Sequence, residues 1–279
     1  MNSGDGRVPL FFRLAGYAVN RFSWIGNIYV EPAVSDWGSP MIPERWSAAQ
    51  PGWSISAIPA VSKSRFLHGL TRTEIDCVMA SAKPRHLSAN SIVTNQGDPA
   101  DYFFLLTKGC ARYFSITEEG EKVLLFWFVP GDIFGGAALL PEPSTYLLGA
   151  ETVKESHVFV WHRSALRDLV ARYPKLLENS LCIASDYLTW FHASHMALVS
   201  HNARERLARV LTTLAPGIGH KVAGGIELDI TNEELANAAN VTPFTASRLL
   251  SEWQRNGAIS KGRGRLVLRA PQQLLLHQV

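Results

Sequence analysis

Thr231 to Ile259, TNEELANAANVTPFTASRLLSEWQRNGAI, is the stretch that leaves its part of the chain the fewest choices. Thr231 followed by Glu234 fits a capping box, in which a side chain and the backbone at a helix start satisfy each other's free groups. Leu235, Ala236 and Ala239 give that helix a small apolar face, and Asn240-Val241 end it. Thr242 is a good N-cap for a second helix, and Pro243 fits its first position, where no amide donor is required. Ala246, Leu249, Leu250 and Trp253 recur at helical spacing and are expected to face a core. Phe244, Thr245, Ser247, Arg248 and Ser251 fall on the opposite face, and Gly257 stands where the helix should end.

Lys261-Gly-Arg-Gly-Arg265 follows, then Leu266-Val-Leu268, a pattern for a hairpin with a basic tip. Upstream, Ile226, Leu228 and Ile230 alternate with Glu227 and Asp229, as in a half-buried strand. Strand, two helices and hairpin compose a winged helix-turn-helix, a device that sets one helix in the major groove of DNA. On that reading Thr242, Phe244, Thr245, Ser247 and Arg248 meet the duplex, and Lys261, Arg263 and Arg265 grip phosphates. The bland alternative is a helical hairpin with no such partner.

The charge distribution favours the duplex. The chain is +3 with His neutral. Residues 200–279 hold 10 Lys+Arg against 6 Asp+Glu, whereas residues 1–60 hold 4 against 4 and residues 61–199 hold 13 against 14. The excess sits where a phosphate-binding domain needs it.

At 279 residues the chain has room for two domains and a sizeable core. Cys77, Cys110 and Cys182 are far apart and form no CxxC pair, which argues against a zinc finger or an iron–sulfur cluster and for reduced, structural thiols in a cytoplasmic protein. No eighteen-residue apolar run exists, so no membrane span is expected. Arg13 and Arg21 interrupt the apolar Val8–Val30 segment, and no convincing cleavage site follows it.

Residues 1–60 scatter Trp24, Trp37, Trp46 and Trp53 among Pro, Gly and Ser without a sustained period. They read as a poorly ordered extension, with a short helix from about Leu10 to Phe22. Met41 opens a more ordinary sequence, so translation starting there is a live expectation, decided by mass spectrometry of the native N-terminus. Residues 61–85 look helical, with Phe66, Leu67, Leu70, Ile75, Val78 and Met79 as the apolar set. Between Ser91 and Trp161, Gly97, Gly109, Gly120 and Gly131 recur every eleven or twelve residues. Tyr102–Leu106, Cys110–Ser115, Val123–Val129 and His157–Trp161 between or after them are β-rich, the mark of a sandwich or barrel with glycine turns. Leu124, Phe126 and Phe128 face one way and Leu125, Trp127 and Val129 the other, so that strand is expected to be covered on both sides.

Next comes a long helix, with Pro174 in its first turn and no breaker until Pro216. Leu177, Leu181, Ala184, Leu188, Phe191, His195 and Leu198 are spaced 4,3,4,3,4,3, a heptad seam. The seam predicts a parallel homodimer; packing on the barrel is the alternative. His195 in it reads as a tolerated polar residue.

Barrel, long helix and winged helix-turn-helix, in that order, resemble the Crp/Fnr family of bacterial transcription regulators over about residues 62–270. Gly131-Asp-Ile-Phe-Gly135, Arg206-Leu-Ala-Arg-Val-Leu211 and Thr242-Pro-Phe-Thr-Ala-Ser-Arg248 carry the resemblance. It implies an α+β protein organised as an N-terminal extension (1–60), a cyclic-nucleotide-binding-like jelly-roll sensor (61–172), a dimerisation helix (173–204) and a DNA-binding domain (205–279). It also implies a small-molecule effector and RNA polymerase as partners. The candidate effector pocket is Gly135, Gly136, Ala137, Ser144 and Thr145 with Phe191 and His192, near where family members let the long helix touch the ligand.

The pocket departs from the family's cyclic-AMP pattern. That pattern has a Gly-Glu-Leu helix and an Arg-Ser pair, and a buried cyclic phosphate needs such a cation. Here Gly136-Ala137 follows Gly135 without a carboxylate, and Pro143-Ser-Thr-Tyr146 lacks an arginine. Cyclic-AMP control in the usual manner is therefore not expected, and the effector's identity stays open. The family's iron–sulfur cysteine cluster is absent; haem stays open, with His86, His157, His162, His192 and His195 as available ligands. Pro243 and Phe244 stand where the best-known members have Arg and Glu, so the half-site should differ; Arg248 matches the family's base-reading arginine.

A nucleotide- or haem-binding regulatory protein without DNA contact is the alternative reading, and it predicts an adjoining catalytic or membrane segment that the sequence lacks. An enzyme is not expected: neither metal-ligand spacing, a GxSxG elbow nor a phosphate-binding loop is present, and Ala215–Gly225 reads as a linker.

Overall fold

The computed structural model describes residues 58–275 apart from Glu119, Glu121 and Arg263. The expectations for a short helix at Leu10–Phe22 and for a start at Met41 lie outside the described residues. The described chain falls into two compact units that divide between Ser185 and Asp186.

The first unit opens with α1 (Pro59–Ser62), a 3-10 turn (Arg65–Leu67) and α2 (Arg72–Ala80). The single helical stretch expected over 61–85 is thus divided. Gly69 takes a φ of +80°, and Thr71 starts α2 afresh through a capping box with Glu74. Lys83–Leu87 is then a strand, β1, pairing antiparallel with β6. The remaining strands are β2 (Ile92–Thr94), β3 (Tyr102–Ile116), β4 (Lys122–Phe128), β5 (Ile133–Phe134) and β6 (Gly149–His162). They form one antiparallel, barrel-like sheet in the order β1-β6-β3-β4, with β2 on β6 and β5 on β3.

The segments expected as two strands, Tyr102–Leu106 and Cys110–Ser115, are one. Gly109 is a bulge instead of a turn: its φ is +95°, and a Cβ there would lie 2.2 Å from the Ser156 hydroxyl on β6. Only a residue without a side chain lets the two backbones approach so closely, and the register shifts around it. The core is aromatic. Phe66 and Phe103 lie 4.9 Å apart, Phe104 stacks on Phe134 at 4.7 Å, and the buried Trp161 donates its indole N–H to Val78 O at 2.9 Å. Leu124 through Val129 are all buried, so this strand is covered on both faces, as its apolar run requires. Glu151, buried on β6, is held by Arg112 Nε at 2.9 Å and Lys122 Nζ at 2.7 Å.

After β6 come α3 (Arg163–Arg172) and α4 (Pro174–Ser200). Leu176, Asn179 and Ile183 form the buried face of the α4 portion in the first unit, and Asn179 donates to the carbonyls of Phe66 and His68. The unbroken helix expected up to Pro216 does not occur. Asn202 caps a new helix, α5 (Ala203–Ile218), through a capping box with Glu205, and a helix cannot run through a residue whose side chain bonds the next helix's amides. Pro216 lies inside α5, in its last turn, where its missing N–H costs a single bond.

The second unit continues with β7 (His220–Val222), β8 (Gly225–Leu228), α6 (Asn232–Ala238), α7 (Pro243–Arg255), β9 (Ile259–Gly262) and β10 (Arg265–Leu268). Its sheet is antiparallel in the order β7-β8-β10-β9. Ala215–Gly225, expected as a linker, is instead the end of α5 and a hairpin. Gly224 (φ +84°) makes its turn, and Gly225 has no room for a Cβ beside Leu268 O at 2.3 Å. Cys77, Cys110 and Cys182 are free thiols; Cys110 alone of them is buried. No helix among the described residues is long and apolar enough to cross a membrane.

Candidate nucleic-acid interface and sensor loop

The two helices of the second unit start as their caps dictate. Thr231 Oγ1 accepts from Glu234 N (3.1 Å), and Glu234 Oε2 accepts from Thr231 N (2.8 Å). Thr242 Oγ1 accepts from Thr245 N (3.1 Å), with Pro243 in the first turn. Between them Asn240 adopts φ +49°, the left-handed conformation that Asn tolerates better than most residues, and Val241 N donates to Ala236 O.

Arg206 on α5 locks this turn. Its guanidinium donates to Ala239 O (3.0 Å), Asn240 O (3.0 Å) and His201 O (2.8 Å). One rigid cation thus satisfies carbonyls at the end of α6 and just before α5, where helix-end acceptors and a negative dipole favour it. Arg204 adds a second tie, pairing with Glu252 on α7 and lying 5.9 Å from the Trp253 ring.

α7 is divided cleanly into two faces. Ala246, Leu249, Leu250 and Trp253 are buried, each larger one contributing about 1.5–3 kcal/mol, and the Trp253 indole donates to Leu274 O at 2.9 Å. On the other face Thr242, Phe244, Arg248 and Ser251 are exposed, with Thr245 and Ser247 half-buried. Phe244 keeps 78% of its surface in water, a position that packing within the chain does not explain. Arg248 is exposed and forms no hydrogen bond with the described residues; Glu252, one turn on, is a charge neighbour. Thr242 and Thr245 bond each other through their hydroxyls (2.9 Å), and Ser251 bonds its own helix at Ser247 O.

β9 and β10 form the expected hairpin, with Gly262 paired to Arg265 and Gly264 at φ +69°. Lys261 is half-buried; Arg263 lies outside the described residues. Arg265 is not idle. Its guanidinium lies 3.5 Å from Asp229 and 3.8 Å from Glu227, long contacts in solvent that hold it weakly.

The sensor residues divide between the units. In the first, Gly131-Asp-Ile-Phe-Gly135 closes a loop onto β3: Gly131 N donates to Leu106 O, Leu106 N to Asp132 O, and Asp132 Oδ2 accepts from Val129 N. Gly135 takes a φ of +78°, and a Cβ there would also press on Tyr102 O at 2.7 Å. Its N–H donates to the buried Tyr113 hydroxyl, whose pKa burial pushes up to about 12, so this phenol stays neutral. Gly136 is exposed and Ala137 half-buried; Ser144 Oγ donates to Ala137 O (3.0 Å), while Thr145 is exposed.

Sequence reasoning missed a residue here. Arg163, only 3% exposed at the start of α3, donates to Ser144 Oγ (2.7 Å), Ala100 O (3.2 Å) and Leu140 O, and its Nε lies 3.0 Å from Glu142 without hydrogen-bond alignment. The loop that seemed to lack a cation thus has one, supplied from 19 residues away in sequence. Phe191 (half-buried) and His192 (exposed) belong to the second unit.

The seam residues Leu177, Leu181, Ala184, Leu188 and His195 on α4 are exposed, and Phe191 and Leu198 are half-buried. Leu181 and Leu188 leave 63% and 70% of their surface in water.

A cyclic nucleotide-binding domain model matches residues 84–173, and a Crp-like helix-turn-helix domain model matches residues 205–276. Electron transport regulator A of Shewanella oneidensis is 25% identical over 188 residues, spanning 67% of this chain and 74% of the relative. The CRP-like cAMP-activated global transcriptional regulator of Mycobacterium tuberculosis is 23% identical over 201 residues, 71% of this chain and 89% of the relative. The solved structure of the c-di-GMP responsive global regulator CLP of Xanthomonas campestris shares the fold, with a TM-score of 0.62 at 20% identity over 71% of this chain and 99% of that one. The two domain models, in this order around a long helix and together spanning more than half of the sequence, place the chain in the Crp/Fnr family of bacterial transcription regulators.

Proposed function

We infer that the protein is a sequence-specific transcription regulator that binds double-stranded DNA as a homodimer on palindromic sites, under the control of an effector in the barrel. The observation that carries this reading is the exposed face of α7, where Phe244 and an exposed Arg248 project from a helix whose other face is fully buried. Thr242, Thr245 and Ser247 lie along the same face, and Lys261, Arg263 and Arg265 serve the backbone from the wing. Two such helices need a dimer, and the leucine seam of α4 is its interface.

The effector belongs to the loop around Gly135–Thr145. Although the Mycobacterium relative is named as cAMP-activated, the same chemistry is not proposed here. Ser144 and Ala137 are bonded to each other, and Arg163 is already engaged with carbonyl oxygens and Ser144. A cyclic phosphate would have to displace those bonds to gain a cation. Effector binding shifts the population of dimers whose recognition helices are spaced for one DNA turn, about 34 Å. The protein catalyses nothing in this reading; it works in the cytoplasm and engages RNA polymerase at its sites. Selection of bound duplexes from a random pool by the purified protein tests the function. A two-fold symmetric motif supports it, and a failure to enrich any sequence, even at low salt with cell extract added, opposes it.

A further inference from the structure

His86 on β1 and His157 on β6 are direct partners across an antiparallel pair. Such partners project to the same face of a sheet, with Cβ atoms about 5 Å apart. Glu155 precedes His157 by two residues on the same strand, so the pleat turns it to that face as well. His86 Nε2 and Glu155 Oε1 are 2.8 Å apart, and the two imidazoles meet edge to face at 5.0 Å. One ligating atom from each of the three side chains lies within 4.8 Å of the others, with Glu155 exposed and both histidines half-buried. Nothing in the DNA-binding reading uses this cluster, and His86 stands 69 residues from Glu155 in sequence, so local spacing does not complete it.

We propose that His86, Glu155 and His157 bind a divalent transition-metal ion of the zinc type on the surface of the barrel. Two imidazoles and one carboxylate are a donor set that zinc, nickel and copper accept, with the solvent side left for water as a fourth ligand. A tetrahedral ion bonded at about 2.0–2.1 Å asks for donors about 3.3 Å apart, within reach of small side-chain rotations from the present spacing. Two hydrogen-bonded strands fix the three Cα positions, so little ordering remains to be done on binding. Lys108, exposed on β3 and partner of His157 in the next ladder, works against the ion through its charge. Lys154, on β6, is the adjacent residue that points to the other face by the same alternation.

The test is titration of tag-free, metal-free full-length protein with Zn²⁺ by calorimetry and with Co²⁺ by absorption. The site predicts one equivalent per chain and visible Co²⁺ bands of a four- or five-coordinate ion without a thiolate charge-transfer band. His86→Ala and His157→Ala should each weaken binding at least tenfold, Lys108→Gln should tighten it several-fold, and Cys77→Ser with Cys182→Ser should leave it unchanged. Circular dichroism checks that each variant folds; if His157→Ala does not, His86→Ala and Glu155→Gln at exposed or half-exposed positions decide. Absence of saturable binding, binding indifferent to the histidine and glutamate variants, or binding lost with the cysteines would each overturn the assignment.

Discussion

Arg206 Nη2 donates to Asn240 O at 3.0 Å, and Asn240 is the residue that takes the left-handed conformation between the two helices of the DNA-binding motif. The same guanidinium reaches Ala239 O and His201 O, so the start of α5 and the turn that aims α7 are fixed by a single side chain. Arg206→Met should strand these acceptors and destabilise the second unit by about 1–3 kcal/mol, with DNA affinity falling in parallel. Arg206→Lys should recover little, because an ammonium cannot span three acceptors held by a planar fork. Urea denaturation of the variants, paired with anisotropy on a bound duplex, checks both expectations.

Arg248 and Phe244 should separate by what they read. Arg248→Ala should cost about 1–3 kcal/mol at one base position, seen as relaxed selectivity there. An equal loss on every sequence would make it a phosphate contact. Phe244→Ala removes a side chain that packs on little of its own chain, so stability should stay within about 0.5 kcal/mol while duplex affinity drops. Thermal melts and a panel of single-base variants of the selected site measure the two effects.

The seam predicts a clean loss of assembly. Leu181→Glu and Leu188→Glu place charges at positions that are open to water in the isolated chain, so each protomer should remain folded. In a dimer the same charges would be buried opposite their own copies, which costs several kcal/mol. Light scattering after gel filtration should show monomers, and affinity for a two-fold site should fall to that of a single half-site.

Acid should unfasten the barrel at Glu151. Burial pulls its pKa upward, but hydrogen bonds from Lys122 and Arg112 outweigh that and hold it below the usual carboxylate range. Its stabilisation is therefore complete above the unfolded-state value of about 4.3 and is lost as the pH falls through the lower folded value. Glu151→Gln should lower stability by roughly 1–3 kcal/mol at neutral pH, since the charge-assisted bonds from Arg112 and Lys122 become neutral ones, and should flatten the loss seen on acidification. Denaturation curves from pH 7 to 3 for both proteins make the comparison.

What the sequence disclosed depended on how local each cause is. The caps at Thr231 and Thr242 were readable because donor and acceptor lie three residues apart and nothing competed for the segment. Asn202 and Glu205 form the same box, yet with no Pro or Gly between Pro174 and Pro216 the helix was read straight through it. Gly109 looked like a turn because its neighbours are strand-like on both sides, and only contact with Ser156, 47 residues on, makes it a bulge. Arg163 was invisible as part of the sensor loop for the same reason: its acceptors Ala100, Leu140 and Ser144 come from other elements. The two faces of α7 were legible residue by residue; the engagement of Arg265 with Asp229 and Glu227 was not, since it needs the β8–β10 pairing.

DNA recognition by this protein requires a symmetric pair of α7 helices entering successive major grooves on one side of the duplex. Its most direct test is affinity for a selected site compared with the same two half-sites pushed apart by about half a helical turn. The insertion turns one half-site to the far side of the duplex, so binding should fall to that of a single half-site. Equal affinity for both duplexes would contradict the paired-helix reading outright.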